Sequence, residues 1–235
     1  MSIFTGREGM IDSQSSLQTF QDLNRTIYCI VNDRNYSNAD LVSYVLRHIT
    51  RISKGVRKGN YDSMDLWFCM ASGWLFAVAN RFHISLEDEM WKRFPRKCPY
   101  CAFMPCACKK RAPSRSVFND EPTTSRPASM QDWQKMFFAI YPDNSAEGSA
   151  WHLFEEIGEL SERVRNFSAK HDAESFEKIK EEAVDVLANL FAVASCLKID
   201  LAEVSARYFA NGCPECEECP CQCSYVTDDD HLLSH

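Results

Sequence analysis

From position 176 to 197 the apolar residues fall at Phe176, Ile179, Ala183, Val186, Leu190, Val193 and Leu197. Steps of three and four keep one face of a helix apolar, so this stretch predicts a long helix with a single buried stripe. A second stripe runs just before it, through Leu153, Ile157, Leu160, Val164 and Phe167. A shorter one, over 130–141, is closed by Pro142 and the turn signal Asp143-Asn144-Ser145. Downstream, Asp200 reads as the N-cap of a short fourth helix that ends near Asn211-Gly212. Strictly alternating segments are scarce, and the 235 residues include only 8 glycines. Stripes of this kind bury themselves only against one another, which predicts an all-α bundle.

The pattern occurs twice. LFAVA at 75–79 repeats at 190–194, and Ile84-Ser85-Leu86 lies on Ile199-Asp200-Leu201, both at an offset of 115 residues. Upstream the offset becomes 108, where LRHITRISKGVR (46–57) matches FEEIGELSERVR (154–165). Near the two starts it is 113, placing LQTFQ (17–21) on MQDWQ (130–134) and Tyr28 on Tyr141. The offset changes only where loops are expected, which argues for a tandem duplication rather than chance likeness between helices. The expected organisation is a first four-helix module at 16–108, a Pro-, Ser- and Thr-rich linker at 109–129, and a second module at 130–223. The leading 12–15 residues and a C-terminal tail at 224–235 are expected to be mobile.

Each module ends in the same cysteine ruler, C-P-x-C-x4-C-x-C. It reads CPYCAFMPCAC at 98–108 and CPECEECPCQC at 213–223, again 115 residues apart. Cys98, Cys101, Cys106 and Cys108, and likewise Cys213, Cys216, Cys221 and Cys223, each supply four soft ligands within one loop, enough for a tetrahedral Zn²⁺. An iron–sulfur cluster is the competing occupant, since four cysteines serve both. Cys219, opposite Met104, is a spare ligand, whereas Cys29, Cys69 and Cys196 sit in helical patterns and are expected in the core.

Composition narrows the class further. Hydrophobic content of 45% and charged content of 25% are those of an ordinary globular protein, and the net charge of −7 gives no general affinity for nucleic acid. Charge is uneven: 47–115 is rich in Lys and Arg, and 143–218 in Asp and Glu. The opening MSIFTGREGMIDSQ has no apolar signal region, and no apolar run approaches the roughly 18–20 residues of a membrane span. A reducing cytoplasm is therefore expected, where clustered cysteines bind metal more often than they form disulfides.

The acids of the second module are patterned. EEIGEL (155–160) lies on its second helix and EEAVDVLAN (181–189) on its third. Residues three apart on a helix are neighbours, so Glu156 and Glu159 project together, and Glu182 projects with Asp185 and Asn189. If the two helices pack antiparallel, four carboxylates converge, and a hard divalent cation such as Mg²⁺ would relieve their repulsion. The plain alternative for either motif alone is a solvated helix face. The pairing of E-x-x-E with E-x-x-D on consecutive helices, each flanking the core stripe, favours the site.

EEIGEL followed by EEAVDVLANLFAVASCLKIDL resembles the all-α nucleotide pyrophosphohydrolases of the MazG-like and dimeric dUTPase superfamily, over roughly 130–210 with motifs intact and over 17–95 as an echo of the fold. The resemblance implies Glu156, Glu159, Glu182 and Asp185 as Mg²⁺ ligands, with Glu155 and Asn189 as lesser candidates at the substrate. The reaction it implies is hydrolysis of an NTP or dNTP to the monophosphate and pyrophosphate. Trp151, His152 and Trp133 are then candidates to stack on or bond to a base, although aromatics near helix starts equally suit a core. Because the family assembles its modules in pairs, the two copies are expected to form an intramolecular pseudo-dimer, and a homo-oligomer of such pairs is the further expectation. Members of the family lack such cysteines as motif residues, so the loops are a departure.

The first copy has lost the acids. Opposite Glu155, Glu156 and Glu159 stand Arg47, His48 and Arg51, and opposite Glu182 and Asp185 stand Trp67 and Met70. It cannot build the same site. Its basic run, Arg47, Arg51, Lys54, Arg57 and Lys58, reads as a solvated face, with reach toward a triphosphate across the seam as the alternative. A non-catalytic, zinc-stabilised protein that senses nucleotides or docks a partner is the competing function.

Overall fold

Helix α1 (Leu17–Asn35) begins where the Ser16 side chain accepts the Thr19 N–H, and α5 (Met130–Ile140) begins in the same way on Ser129. Ser37 and Ser145 cap α2 (Asn38–Lys58) and α6 (Ala146–Lys170), and Ser85 and Asp200 cap α4 (Leu86–Arg93) and α8 (Leu201–Tyr208). Each cap satisfies an amide that has no partner inside its helix. The remaining helices are α3 (Met64–Arg81) and α7 (Ala173–Cys196). The computed structural model describes residues 11–108 and 125–223, and these contain eight helices and no strand. The all-α expectation holds.

The two sets of four helices share more than their order. Gln21 donates from Nε2 to the Ile84 carbonyl at 2.7 Å, and its Oε1 accepts the Leu86 N–H at 3.1 Å. Gln134 does the same with Ile199 at 2.7 Å and Leu201 at 3.0 Å. In both sets one amide side chain ties the first helix to the start of the fourth. The left-handed residues His83 and Lys198 also correspond, as do Ala102 and Glu217 in the cysteine loops.

Within each set the second helix packs on the third and the first helix packs on the third and fourth. Across the sets α2 meets α6, α3 meets α7, α4 packs on α7, and α8 packs on α3. Exchanging α1–α4 for α5–α8 leaves this group of packing pairs unchanged. One continuous core runs through both sets, with Leu17, Ile49, Phe68, Leu75, Trp133, Ile157, Leu187 and Phe191 all inaccessible to solvent. Burying an aliphatic or aromatic side chain of this size contributes about 1.5–3 kcal/mol.

Several sequence expectations change. The first described residues are not a free tail: Ile11 is buried, and the Ser15 carbonyl accepts the Met130 N–H at 3.0 Å. The end of the linker is docked, with the Ser125 carbonyl accepting Arg96 Nε at 2.6 Å and Arg126 paired with Glu87 and Asp88. Residues 109–124 and the expected tail at 224–235 lie outside the described residues. Cys69 is buried as expected, but Cys29 and Cys196 are only half-buried, on the edges of their helices.

Candidate active site and cysteine centres

The turn between α6 and α7 decides the geometry of the acids. His171, in the left-handed conformation at φ 53°, ends α6, and Asp172 immediately caps α7 by accepting the Ser175 N–H at 2.7 Å. A connection this short makes the two helices antiparallel neighbours, and the E-x-x-E and E-x-x-D motifs meet across their seam. Carboxylate oxygens of Glu156, Glu182 and Asp185 lie within 4.8 Å of one another. Glu182 and Asp185 are each only 8% exposed.

Glu159 does not join them. The buried stripe of α6 runs through Leu153, Ile157, Leu160 and Val164. At about 100° per residue, Glu156 borders that stripe and Glu159 stands about 60° further round, in solvent. It remains close enough for its charge to act on Glu156 and Glu182. Arg163, seven residues beyond Glu156, returns to the border and donates from Nε to Glu182 Oε1 at 3.1 Å.

Burial first, and mutual repulsion after it, raise the proton affinity of the cluster. Burial, followed by the neighbouring charges of Asp185, Glu159 and Glu182, pushes Glu156 up to about 8, with Arg93 opposing. Burial pushes Asp185 up to about 6 even though Arg93 works against it. Glu182 is raised as well, by burial, with Arg163 opposing. Three crowded carboxylates that resist ionisation form a hard oxygen donor set for a divalent cation.

Besides Arg163, a second cation reaches the cluster, and it comes from the other set of helices. Arg93, in the last turn of α4, donates from Nε to Asp185 Oδ1 at 2.6 Å and from Nη2 to Asp185 Oδ2. Sequence reasoning missed it. Arg93 lies outside the basic run and inside an unremarkable amphipathic segment, LEDEMWKR, and only the packing of α4 on α7 brings it to the acids. In the basic run, Lys54, Arg57 and Lys58 are exposed, while the Arg51 guanidinium lies 4.2 Å from the centre of the Trp67 ring.

That stack occupies the positions that align with the acids of the second set. His48 lies against Trp67 with ring centres 5.9 Å apart, so the residues opposite Glu156, Glu159 and Glu182 touch one another. Burial, then Arg51 and Arg47, push the buried His48 down to about 3, and it stays neutral. An aromatic and cationic stack stands where the second set has its carboxylates.

The remaining candidates are dispersed. Asn189 donates to the backbone carbonyl of Asp185 at 3.0 Å, one turn along the same helix. Trp151, His152 and Glu155 are exposed on the outward part of α6, with His152 Nδ1 and Glu155 Oε2 at 3.1 Å. Trp133 is fully buried, in edge contact with Trp91, and is core rather than a platform for a base.

Both cysteine rulers close into clusters. The sulfurs of Cys98, Cys101, Cys106 and Cys108 lie within 4.8 Å of one another, as do those of Cys213, Cys216, Cys221 and Cys223. Backbone amides serve the sulfurs in matching ways. Ala107 N–H donates to Cys101 Sγ at 3.2 Å and Gln222 N–H to Cys216 Sγ at 3.4 Å. Cys219 lies outside the second cluster.

Comparison with known proteins finds one family over the segment that carries the carboxylates. The family model of the MazG nucleotide pyrophosphohydrolase domain matches residues 145–210, from the N-cap of α6 to just beyond α8. The chain is thus an all-α protein whose second set of helices is similar to that domain from its second helix onward, and the matched segment includes Glu156, Glu182 and Asp185. No curated protein and no solved structure matches the chain.

Proposed function

We propose that the chain is a Mg²⁺-dependent nucleotide pyrophosphohydrolase, converting an NTP or dNTP and water into the monophosphate and pyrophosphate. The observation that carries this reading is the convergence of Glu156, Glu182 and Asp185 inside the segment similar to the MazG domain. The donors are all oxygens, as Mg²⁺ prefers, and burial and mutual repulsion raise their proton affinities, a cost that a bound cation would relieve. These three residues would hold the cation, and Glu159 would turn in from the rim. When bound, Mg²⁺ supplies neutralisation of the phosphate oxygens and of the pyrophosphate leaving group.

The chain's own residues account for the rest. As water adds to the α-phosphorus, a carboxylate of the cluster takes its proton, and the bond from the α-phosphorus to the pyrophosphate oxygen breaks. Were a cation to take up the charge of Asp185, the Arg93 guanidinium, bonded to Asp185 in this structure, would be free to bind triphosphate oxygens in a fork. Catalysis would therefore draw on both sets of helices. We read 16–108 as the non-catalytic member of an intramolecular pseudo-dimer and 130–223 as the catalytic one, each ending in a structural Zn²⁺ centre. All twelve cysteines are unpaired, which suits the reducing cytoplasm in which the enzyme would act.

The test is direct. Purified protein incubated with each NTP and dNTP should release pyrophosphate in the presence of Mg²⁺ and not in its absence. Release of orthophosphate alone, or turnover of no nucleotide, overturns the assignment.

A further inference from the structure

Each cysteine loop docks on the opposite set of helices. The N–H of Cys106, a ligand in the first loop, donates to the Ile140 carbonyl at the end of α5 at 2.7 Å. The N–H of Cys221, its counterpart 115 residues later, donates to the Ile27 carbonyl in α1 at 2.8 Å. Ile27 and Ile140 are themselves counterparts, at the offset of 113 residues that relates α1 to α5.

Side chains repeat this crossing. Tyr141, from the second set, lies beside Cys98 of the first cysteine loop, and Tyr28, from the first, beside Cys213 of the second, each near enough to feel the sulfur's charge. Phe94, just after α4, packs edge-on against Phe137 of α5 with ring centres 4.9 Å apart. Its counterpart Phe209, just after α8, packs edge-on against Tyr28 of α1 at 6.2 Å. The helices leading into the loops cross over too, α4 onto α7 and α8 onto α3.

From this reciprocal docking we propose that the two four-cysteine centres are inter-half clasps. Each binds Zn²⁺ through the thiolates of one half while seated on the first helix of the other, so that metal binding holds the halves together. The proposal rests on the reading of the cysteine clusters as zinc sites and deepens it. A zinc centre confined to its own loop would stabilise only that loop. Here a ligand residue's amide is also the docking donor, so the geometry imposed on Cys106 or Cys221 by the metal fixes the contact with Ile140 or Ile27. Tyr141 and Tyr28 would serve as outer partners of the thiolates from the opposite half; partners of this kind commonly change metal affinity by about 10–100-fold. Because binding free energy at a structural zinc site is folding free energy, the chain gains at the seam what neither loop could supply alone.

The experiment uses the full chain loaded with Zn²⁺ alone. Wild-type protein should hold one Zn²⁺ per cysteine cluster. Its absence, or iron with visible absorbance, overturns the zinc reading itself, independently of any nucleotide turnover. In hydrogen exchange, Cys216→Ser should lose the second zinc and deprotect the α1 amides that follow Ile27. Cys101→Ser should lose the first and deprotect the end of α5. Deprotection confined to the mutated loop and its own set of helices overturns the clasp. Tyr28→Phe and Tyr141→Phe keep every ligand and cover the case in which the serine variants do not fold. Each should speed the release of one zinc equivalent to a chelator by about tenfold, and unchanged release in both likewise overturns it.

Discussion

Arg93 on α4 grips Asp185 on α7 with two N–H donors on one edge of its guanidinium, across a separation of 92 residues. Both side chains are largely buried. The pair joins the set of helices without the carboxylate cluster to the set that has it, and it gives the cluster a counter-ion in the absence of metal.

Removing that counter-ion should be costly in a way that depends on metal. Arg93→Ala leaves Asp185 buried beside Glu156 and Glu182, and loss of one partner from a buried pair costs about 3–5 kcal/mol. Denaturant unfolding in EDTA should show a loss of that order, reduced when Mg²⁺ is added, with pyrophosphate release falling tenfold or more. Arg93→Lys keeps the charge but not the fork and should fall between the two. Equal losses with and without Mg²⁺ would contradict the counter-ion role.

Asymmetry between the two halves gives the sharpest test of the working site. Glu182→Gln nearly preserves volume, removes one charge and should abolish pyrophosphate release while leaving the helical circular dichroism intact. His48→Ala, in the His48–Trp67–Arg51 stack, should lower stability through lost packing and affect turnover far less. If Glu182→Gln kept near-full activity, or His48→Ala eliminated it in a folded protein, the site would be assigned to the wrong half.

Stability should fall with rising pH when divalent cations are absent. The folded protein holds the Glu156 proton up to about pH 8 and the Asp185 proton up to about 6, whereas ordinary values are 4.5 and 3.8. Between those limits the folded state binds more protons than the unfolded state. The contribution is thus fully present below the ordinary carboxylate range and is lost as pH climbs through the folded values. Melting temperatures in EDTA, compared with those of Glu156→Gln at each pH, should diverge over this window. Mg²⁺ should flatten the difference, and its binding should release protons, a quantity calorimetry in two buffers would report.

The repeated glutamine clamp predicts matched energetics. Gln21→Ala removes two buried hydrogen bonds, and Gln134→Ala two part-buried ones, between a first helix and the start of a fourth; Gln21→Ala also removes a bond to Asn80. Each should cost about 1–3 kcal/mol in denaturant unfolding. A large effect at one position and none at the other would mean that the two sets are not held together in the same way.

What the sequence determined alone was local or repeated. Apolar steps of three and four, Ser and Asp caps, and the Asp172 restart one residue after His171 specify helices through interactions within a few residues, and these are legible from 130 to 208. The short α6–α7 turn makes the meeting of Glu156 with Glu182 and Asp185 legible as well, because a hairpin leaves little choice of partner. The spacing alone brings Glu159 too close, since three residues on a helix leave a rotation of about 60° that carries it off the seam. Tertiary structure alone decided which half lends a cation to the acids and where each cysteine loop sits. Arg93 and Asp185, Cys106 and Ile140, and Cys221 and Ile27 are paired by packing of α4 on α7 and α8 on α3. No spacing within a helix encodes such a contact, because it depends on the summed burial of the whole core rather than on neighbours along the chain.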